Sequence, residues 1–325
     1  MALILREKHV RSLLSMRDTI TVLEEAFNAL AQSIQSGRND VVQHPRTRIA
    51  IPKGVLTFLA GAAAPFGVMG FKTYTASREG IRYLIMLFSS QNGQLLSILE
   101  AERIGSMRTG GTSAVATKYL AREDATIVGL IGAGAQAVTQ LMGVCTVRPI
   151  TIVYVYSRRA RERELFCQEM QRLLNVQVIP VNHPRQAIEP ADIVITATTA
   201  SEPVLHGEWL KPGCHVNAIG SNWAHRRELD FTTLQRSSII STDSVEQAQI
   251  EAGDFLIPIN EGLLDWQRIH DLFRIIHYRR PQRTSPTDIT IYKGLGTALE
   301  DIATAAHVYN LARRQGLGEE ISLLI

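Results

Sequence analysis

Apolar Ile20, Leu23, Ala26, Phe27 and Leu30 recur at spacings of three and four residues, the pattern of a helix with one buried face. Ser15, ahead of Arg17-Asp18, marks its start and Gly37 its stop. A short strand followed by helix is therefore expected over residues 1–35. From 41 to 100 the chain reads instead as strands: VVQ, TRIAI, VLTFLA, GFKTYT, YLIMLFSS and LLSILE, with Asn92-Gly93 predicting a hairpin between the last two. Residues 101–120 predict a helix leading out of this first domain. Its Gly105, Gly110 and Gly111 weaken it, unless something must approach the backbone closely there.

The pattern then alternates between strand and helix. ATIVGLIG, ITIVYVYS, VQVIPV, DIVITATT, CHVNAIG and SSIISTD are near-continuous Val/Ile-rich runs separated by helical segments, as in a parallel sheet buried on both faces. Residues 296–316 predict an amphipathic helix that returns to pack on the first domain. The fold class is α/β. Phe58, Phe71, Tyr83 and Phe88 read as core aromatics, although Tyr83 is placed to border a pocket.

Composition narrows the function classes. At roughly 100–200 residues per domain, 325 residues suggest two domains. An apolar fraction of 45% with 20% charged residues argues against wholesale disorder. A net charge of +3, with both signs interleaved, points away from nucleic acid; the tract Tyr278 to Arg283 is basic but short and Pro-interrupted, and reads as an exposed loop. Cys145, Cys167 and Cys214 are odd in number and widely spaced, which fits a reduced cytoplasmic protein without disulfides or a metal site. The apolar ALIL near the start is too short for a signal peptide. Gly54–Phe71 runs 18 residues without a charge, yet its four glycines and Pro65 break it into strands and turns rather than a membrane span.

The strongest chemical signal is G-x-G-x-x-A at Gly132, Gly134 and Ala137, with Ala133, Ala135 and Gln136 filling the loop. It follows a strand and opens a helix, as a dinucleotide loop does: a tight turn, close backbone approach to the pyrophosphate, and close helix packing. About 20 residues on, where an acid would take the ribose 2′-hydroxyl of NAD, stand Ser157, Arg158 and Arg159. A hydroxyl and two guanidinium groups suit the 2′-phosphate of NADP(H), which is favoured over NAD(H). Thr198 and Thr199, ending the fourth strand, are expected beside the glycine loop.

VVQHPRTR, GFKTY, SMRTGGTSAVATKYL, GAGAQA, SEPVLHGEWLKPGCHVNAIGS, RELD and GLGTALEDIATA together make the chain resemble the ornithine cyclodeaminase/mu-crystallin family over nearly its full length. The resemblance implies a Rossmann domain (121–296) inserted into a second α/β domain (1–120, completed by 297–325). That second domain binds substrate and forms a homodimer through its sheet. It also implies an amino or cyclic imino acid as substrate, its carboxylate held by Arg46, Lys72 and Arg108. On residues alone, Lys72 amid apolar strand positions and Arg108 in a glycine-rich helix either snorkel to solvent or bind an anion, and each alone also reads as half of a structural ion pair; Arg46, beside Pro45, also reads as a solvated loop charge. By the resemblance, Thr109 faces the pyrophosphate, and Ile219 and Lys293 approach the cofactor.

One position departs from the family pattern. Cyclodeaminases and the related alanine dehydrogenases carry an Asp where this chain has Asn222, and an amide cannot exchange a proton as a carboxylate does. The mu-crystallin branch, which resembles ketimine reductases, lacks that Asp but has an acid three positions later, where His225 stands here; a surface histidine is the other reading of His225. The expected activity is NADPH-dependent reduction of a carboxylate-bearing ketimine or cyclic imine, or the reverse amino-acid oxidation, with His225 or a water on Asn222 handling the nitrogen proton. An NAD-recycling cyclodeaminase and a non-catalytic NADP-binding protein are the two alternatives.

Overall fold

The computed structural model describes residues 1–323. Along the chain run β1 (Ala2–Leu5), α1 (Glu7–Leu13), α2 (Met16–Ser36), β2 (Val41–Gln43), β3 (Thr47–Ile51), β4 (Gly54–Ala63), β5 (Val68–Ser77), β6 (Gly80–Ser89), β7 (Leu95–Glu100) and α3 (Glu102–Leu120). There follow β8 (Ile127–Ile131), α4 (Ala135–Val147), β9 (Ile152–Tyr156), α5 (Ala160–Leu174), β10 (Gln177–Pro180), α6 (Pro184–Ile188), β11 (Ile193–Thr196) and β12 (His215–Ala218). The chain continues through α7 (Phe231–Gln235), β13 (Ile239–Thr242), α8 (Val245–Glu251), α9 (Gly253–Asn260), β14 (Ile269–Asp271), α10 (Leu272–Tyr278), β15 (Thr290–Lys293), α11 (Ala298–Gln315) and β16 (Glu319–Ile321).

Two compact units emerge: Met1–Arg108 with the chain from Gly296 onward, and Thr109–Leu295. The division falls inside α3, whereas the sequence reading places it at the helix end. In the first unit a mixed sheet runs β16-β1-β7-β6-β5-β4-β2, with β3 also on β4. One row of this sheet, Leu59, Lys72, Ile85 and Leu99, is set side by side by the register and lies buried. α2 and α11 pack together and α11 lies against β4 to β6, so this is the covered face. Each fully buried Leu or Ile of that row contributes about 2–3 kcal/mol.

The neighbouring rows face outward. Leu56, Met69 and Leu84 are exposed, and Phe58, Phe71, Met86 and Phe88 half-buried. The core reading of Phe58, Phe71 and Phe88 is thus corrected: strand alternation turns them onto the uncovered face. Tyr83 lies on the covered side, its ring 5.1 Å from that of Tyr74.

Local signals act where they were read. Ser15 accepts a hydrogen bond from the Asp18 N–H, and Gly37 ends α2 at φ 67°. The first helical stretch is nevertheless broken at Leu14-Ser15 into α1 and α2. Asn92-Gly93 lies in the β6–β7 hairpin with Gly93 at φ 73°. The β5–β6 hairpin, turned by Arg78-Glu79, has no comparable sequence signal. α11 is buried on nearly every side over its first half, beyond the single stripe expected of an amphipathic helix.

The second unit is an all-parallel sheet, β10-β9-β8-β11-β12-β15-β13-β14. The chain moves outward from β8 to β10, then crosses to β11 on the other side of β8, creating the topological switch point of a doubly wound fold. Helices cover both faces, with separate apolar cores on each. β14 and β15 were not read from sequence, although β15 is central. Gly110 of α3 packs against the Thr139 backbone and Gly143 against that of Gly110, so the close approach explaining Gly110 is another helix, α4. The basic tract is only partly an exposed loop, since Arg283 hydrogen-bonds Leu120, Gly213 and Asp288 carbonyls.

Candidate active site

In a parallel sheet every strand delivers its carboxyl end to the same edge, and here that edge gathers the dinucleotide motif. Gly132 ends β8 at φ 116°, and a Cβ there would collide with the Ala197 carbonyl after β11; Ala197-Thr198 therefore does lie beside the glycine loop. Gly134 opens the 13-residue α4, and a Cβ on it would meet nothing within 4 Å. Ala133 is half-buried, Ala135 and Gln136 are exposed, and Ala137 is fully buried against the sheet. Exposed N–H groups at a helix start and an open approach fit a pyrophosphate. Thr109 joins this region through its carbonyl, which accepts from Gln140 of α4 at 3.2 Å.

After β9, Ser157 is half-buried and Arg158 and Arg159 are exposed. Arg159 pairs with Glu162 at 2.6 Å, and the Ser157 carbonyl accepts from Arg163 at 2.8 Å. No carboxylate stands at Ser157 itself to meet a ribose 2′-hydroxyl. Thr199 is exposed, and Ile219, half-buried after β12, donates its N–H to the Thr196 carbonyl at 2.8 Å.

Lys293 ends β15, fully buried, with its ammonium 2.9 Å from Asp254. Asp254 accepts from the N–H groups of Glu228 and Leu229. Glu228 in turn accepts from the Thr196 and Thr198 hydroxyls and from the N–H groups of Thr198 and Gly220, at 2.7–2.8 Å. Burial pushes the Glu228 carboxyl up, while Lys293 and the two threonines pull it down. This network pins the ends of β11 and β12 and closes the loop that carries Asn222 and His225. Sequence reasoning missed Glu228 and Asp254; the RELD segment was the available signal. Asn222 is half-buried and His225 exposed, its ring 5.9 Å from that of Trp223.

The first unit assembles the three cations. Arg46 is 6% exposed, Lys72 2% and Arg108 7%, so the solvated-loop reading of Arg46 is corrected. Arg46 donates to the Gly296 carbonyl at 2.9 Å. Gly296, at φ 82°, also makes room for Arg108, whose guanidinium occupies the space a Cβ would need. Arg108 pairs with Glu300 at 3.0 Å and with Asp301 at 3.0 Å, and Lys72 with Asp301 at 2.7 Å. Glu300 also accepts from the Thr297 N–H and hydroxyl, closing the N-terminal cap of α11. Glu300 and Asp301 were missed because a T-x-x-E-D helix start reads as ordinary capping.

These five are the buried charged side chains among the described residues of this unit, three cations against two acids. Burial, with Arg108 and Arg46 close by, pulls the Lys72 ammonium down to about 8 against the opposing pull of Asp301. Three buried cations drawn together on shared carboxylates are chemically suited to hold an anion such as a carboxylate.

The ornithine cyclodeaminase/mu-crystallin family model matches residues 1–316. A Delta(1)-pyrroline-2-carboxylate reductase of Bacillus cereus is 32% identical, over 98% of this chain and 99% of its own. The structure of Thermococcus litoralis Delta(1)-pyrroline-2-carboxylate reductase in complex with NADH and L-proline superposes with a TM-score of 0.93 at 34% identity, covering 98% and 100% of the two chains. An archaeal alanine dehydrogenase dimer with bound NAD gives a TM-score of 0.92 at 27% identity, covering 99% of each. With a doubly wound nucleotide sheet, a glycine loop at its switch point and a family match across nearly its whole length, the chain belongs to the ornithine cyclodeaminase/mu-crystallin family.

Proposed function

We propose that this protein is a nicotinamide-dependent oxidoreductase that reduces a carboxylate-bearing ketimine or cyclic imine to an amino or imino acid, or runs the reverse oxidation. The observation that carries this reading is the gathering of three buried cations, Arg46, Lys72 and Arg108, beside Glu300 and Asp301 on one unit. The similarity to reductases of Delta(1)-pyrroline-2-carboxylate and to an alanine dehydrogenase supports it.

Gly132, Gly134 and the N-terminus of α4 would hold the cofactor pyrophosphate, with Thr109, Thr198, Thr199 and Ile219 around it. When bound, the nicotinamide supplies the hydride. Arg46, Lys72 and Arg108 fix the carboxylate and so the imine carbon; orientation and charge complementarity supply much of the rate. Asn222 cannot exchange a proton, so a substrate entering as the protonated iminium needs no strong acid; His225 or a water on Asn222 handles the proton in the reverse direction. Lys293 acts through Asp254 and Glu228 on the strand ends rather than on the cofactor directly.

We assign NADP(H) as the favoured cofactor, because Ser157 and Arg158 stand where a ribose-binding acid would, and Arg158 has no ion-pair partner among the described residues. The outward apolar face of the first unit's sheet fits a second copy of the chain, supporting a homodimer. Three free cysteines support a cytoplasmic setting. Among the described residues no helix is long and apolar enough to cross a membrane.

The deciding experiment mixes the protein with NADPH or NADH and Δ1-pyrroline-2-carboxylate, and follows nicotinamide absorbance. Oxidation with a preference for NADPH is expected. Ammonia release from a diamino acid without net oxidation would replace the reductase with a cyclodeaminase.

A further inference from the structure

On the covered face of the first unit's sheet, the row next to Lys72 is made of hydroxyl side chains. Register sets Thr57 of β4 beside Tyr74 of β5, and Tyr74 beside Tyr83 of β6. Each stands two residues along its strand from Leu59, Lys72 or Ile85, a step of roughly 7 Å, and alternation keeps both rows on one face. The Lys72 ammonium lies 6.0 Å from the centre of the Tyr74 ring, and the rings of Tyr74 and Tyr83 are 5.1 Å apart. Arg108 and Asp301 both act electrostatically on the Tyr83 phenol, so this row borders the cation cluster.

The row has hydrogen-bonding capacity that the fold does not use. The Thr57 hydroxyl sits on a side chain only 1% exposed and has no hydrogen-bond partner among the described residues. Tyr74 and Tyr83 are half-buried, and their phenols make no hydrogen bond among the described residues. A buried hydroxyl without a partner is costly, and folded interiors hold few of them. Valine would fill the same space without a polar atom, so packing alone does not call for threonine at 57. Burial, with Tyr74 beside it, pushes the Tyr83 phenol up, so it keeps its proton and remains a donor.

We propose that Thr57, Tyr74 and Tyr83 form the specificity-determining row of the substrate site, and that they select an amino or imino acid whose ring or side chain carries a hydroxyl. The proposal rests on the reading of Arg46, Lys72 and Arg108 as the substrate carboxylate site. A step of roughly 7 Å spans a carboxylate, the carbon that bears it and a substituent one or two carbons further on. The row carries no charge of its own, which suits a neutral group. A second ammonium on the substrate would stand near Lys72 and Arg108 and be repelled. A substrate hydroxyl completes the buried Thr57 group, whereas a hydrocarbon at the same place leaves it without a partner.

The test compares oxidation of L-proline with that of the 3- and 4-hydroxy-L-prolines by the full-length protein, with NADP+ or NAD+ and nicotinamide absorbance as the readout. At least one hydroxyproline is expected to exceed L-proline in kcat/KM by about tenfold or more, chiefly through KM. In Thr57→Val that ratio falls to near one, the loss falling on the hydroxylated substrate, and Tyr74→Phe or Tyr83→Phe lowers it in part. Thr57→Val unfolds at no lower temperature than wild type, because its hydroxyl holds nothing within the fold. A wild-type ratio at or below one, or variants that slow every substrate by the same factor, overturns the specificity row and leaves the carboxylate reading standing. A lower unfolding temperature for Thr57→Val does the same, since it assigns the hydroxyl to the fold. If no substrate turns over and pyrrole-2-carboxylate, an unreactive planar probe, does not bind, the carboxylate-site reading fails and this proposal with it.

Discussion

Both units bury charged side chains, and they use them differently. In the second unit most of the buried charges grip backbone, although Lys293 pairs with Asp254. Arg148 donates to the carbonyls of Thr117, Lys118, Ala121, Arg122 and Val147, closing the C-terminus of α3. Asp192 accepts from the N–H groups of Thr126 and Ile127, Glu228 from those of Thr198 and Gly220 just past β11 and β12, and Asp254 from those of Glu228 and Leu229. In the first unit Lys72 and Arg108 share Asp301, and Arg108 also pairs with Glu300. Charges that satisfy orphaned peptide groups build architecture; cations drawn together on shared carboxylates are suited to hold an anion.

The largest effect that would break this contrast is Arg108→Ala. It should lower kcat/KM for an imine substrate by about 10³-fold, the order of losing one buried charge-assisted carboxylate contact. Affinity for NADPH, measured by nicotinamide fluorescence, should stay within a few-fold; unchanged turnover would remove Arg108 from the site. Arg148→Ala should do the opposite. It leaves several α3 carbonyls without a donor, costing about 3 kcal/mol in denaturant unfolding, with kcat of the folded fraction unaltered. A kinetic defect at full stability would erase the distinction between the units.

Gly132→Ala sharpens it from the cofactor side. The positive φ and the Ala197 carbonyl leave no room for a methyl group, so NADPH affinity should fall about 100-fold. Pyrrole-2-carboxylate affinity in the cofactor-free protein should not change, and a parallel loss of both would contradict the assignment.

A smaller effect concerns His215, buried in the second unit between Thr290 and Asn217. Burial, with Arg283 and Arg148 nearby, lowers it to about 3 from an ordinary 6.5. The unfolded chain therefore binds a proton that the folded chain refuses. Stability is lost as pH falls from about 6.5 toward 3, by at most ~1.4 kcal/mol per pH unit. His215→Asn should flatten that slope in urea titrations between pH 6.5 and 4.5; an identical slope would place the acid sensitivity elsewhere.

Much of this was legible in the sequence, for a reason that depends on range. The helix from Ser15 to Gly37, the β6–β7 hairpin at Asn92-Gly93 and the β8–glycine loop–α4 unit each depend on residues a few positions apart. Family resemblance supplied Arg46, Lys72 and Arg108 as a set, but not the acids facing them. Glu300 and Asp301 look like a routine helix start, and Glu228 and Asp254 like surface acids, until folding buries them. β15 was missed although its Ile291-Tyr292 core is apolar, because a four-residue run after a long irregular segment has too little period to register.

The sequence by itself determined the two periodicities, six of the eight parallel-sheet strands, the glycine loop and the identity of the cations. Tertiary structure alone decided that Arg46 meets Gly296 across 250 residues, Lys72 meets Asp301 across 229, and Arg108 meets Glu300 across 192. Helical and strand patterns are written in neighbours, because they follow from backbone geometry repeated every few residues. Which charge finds which partner follows from sheet register and from the seating of α11 on that sheet. Both are set by burial of the whole apolar face, and neither is encoded next to the charges themselves.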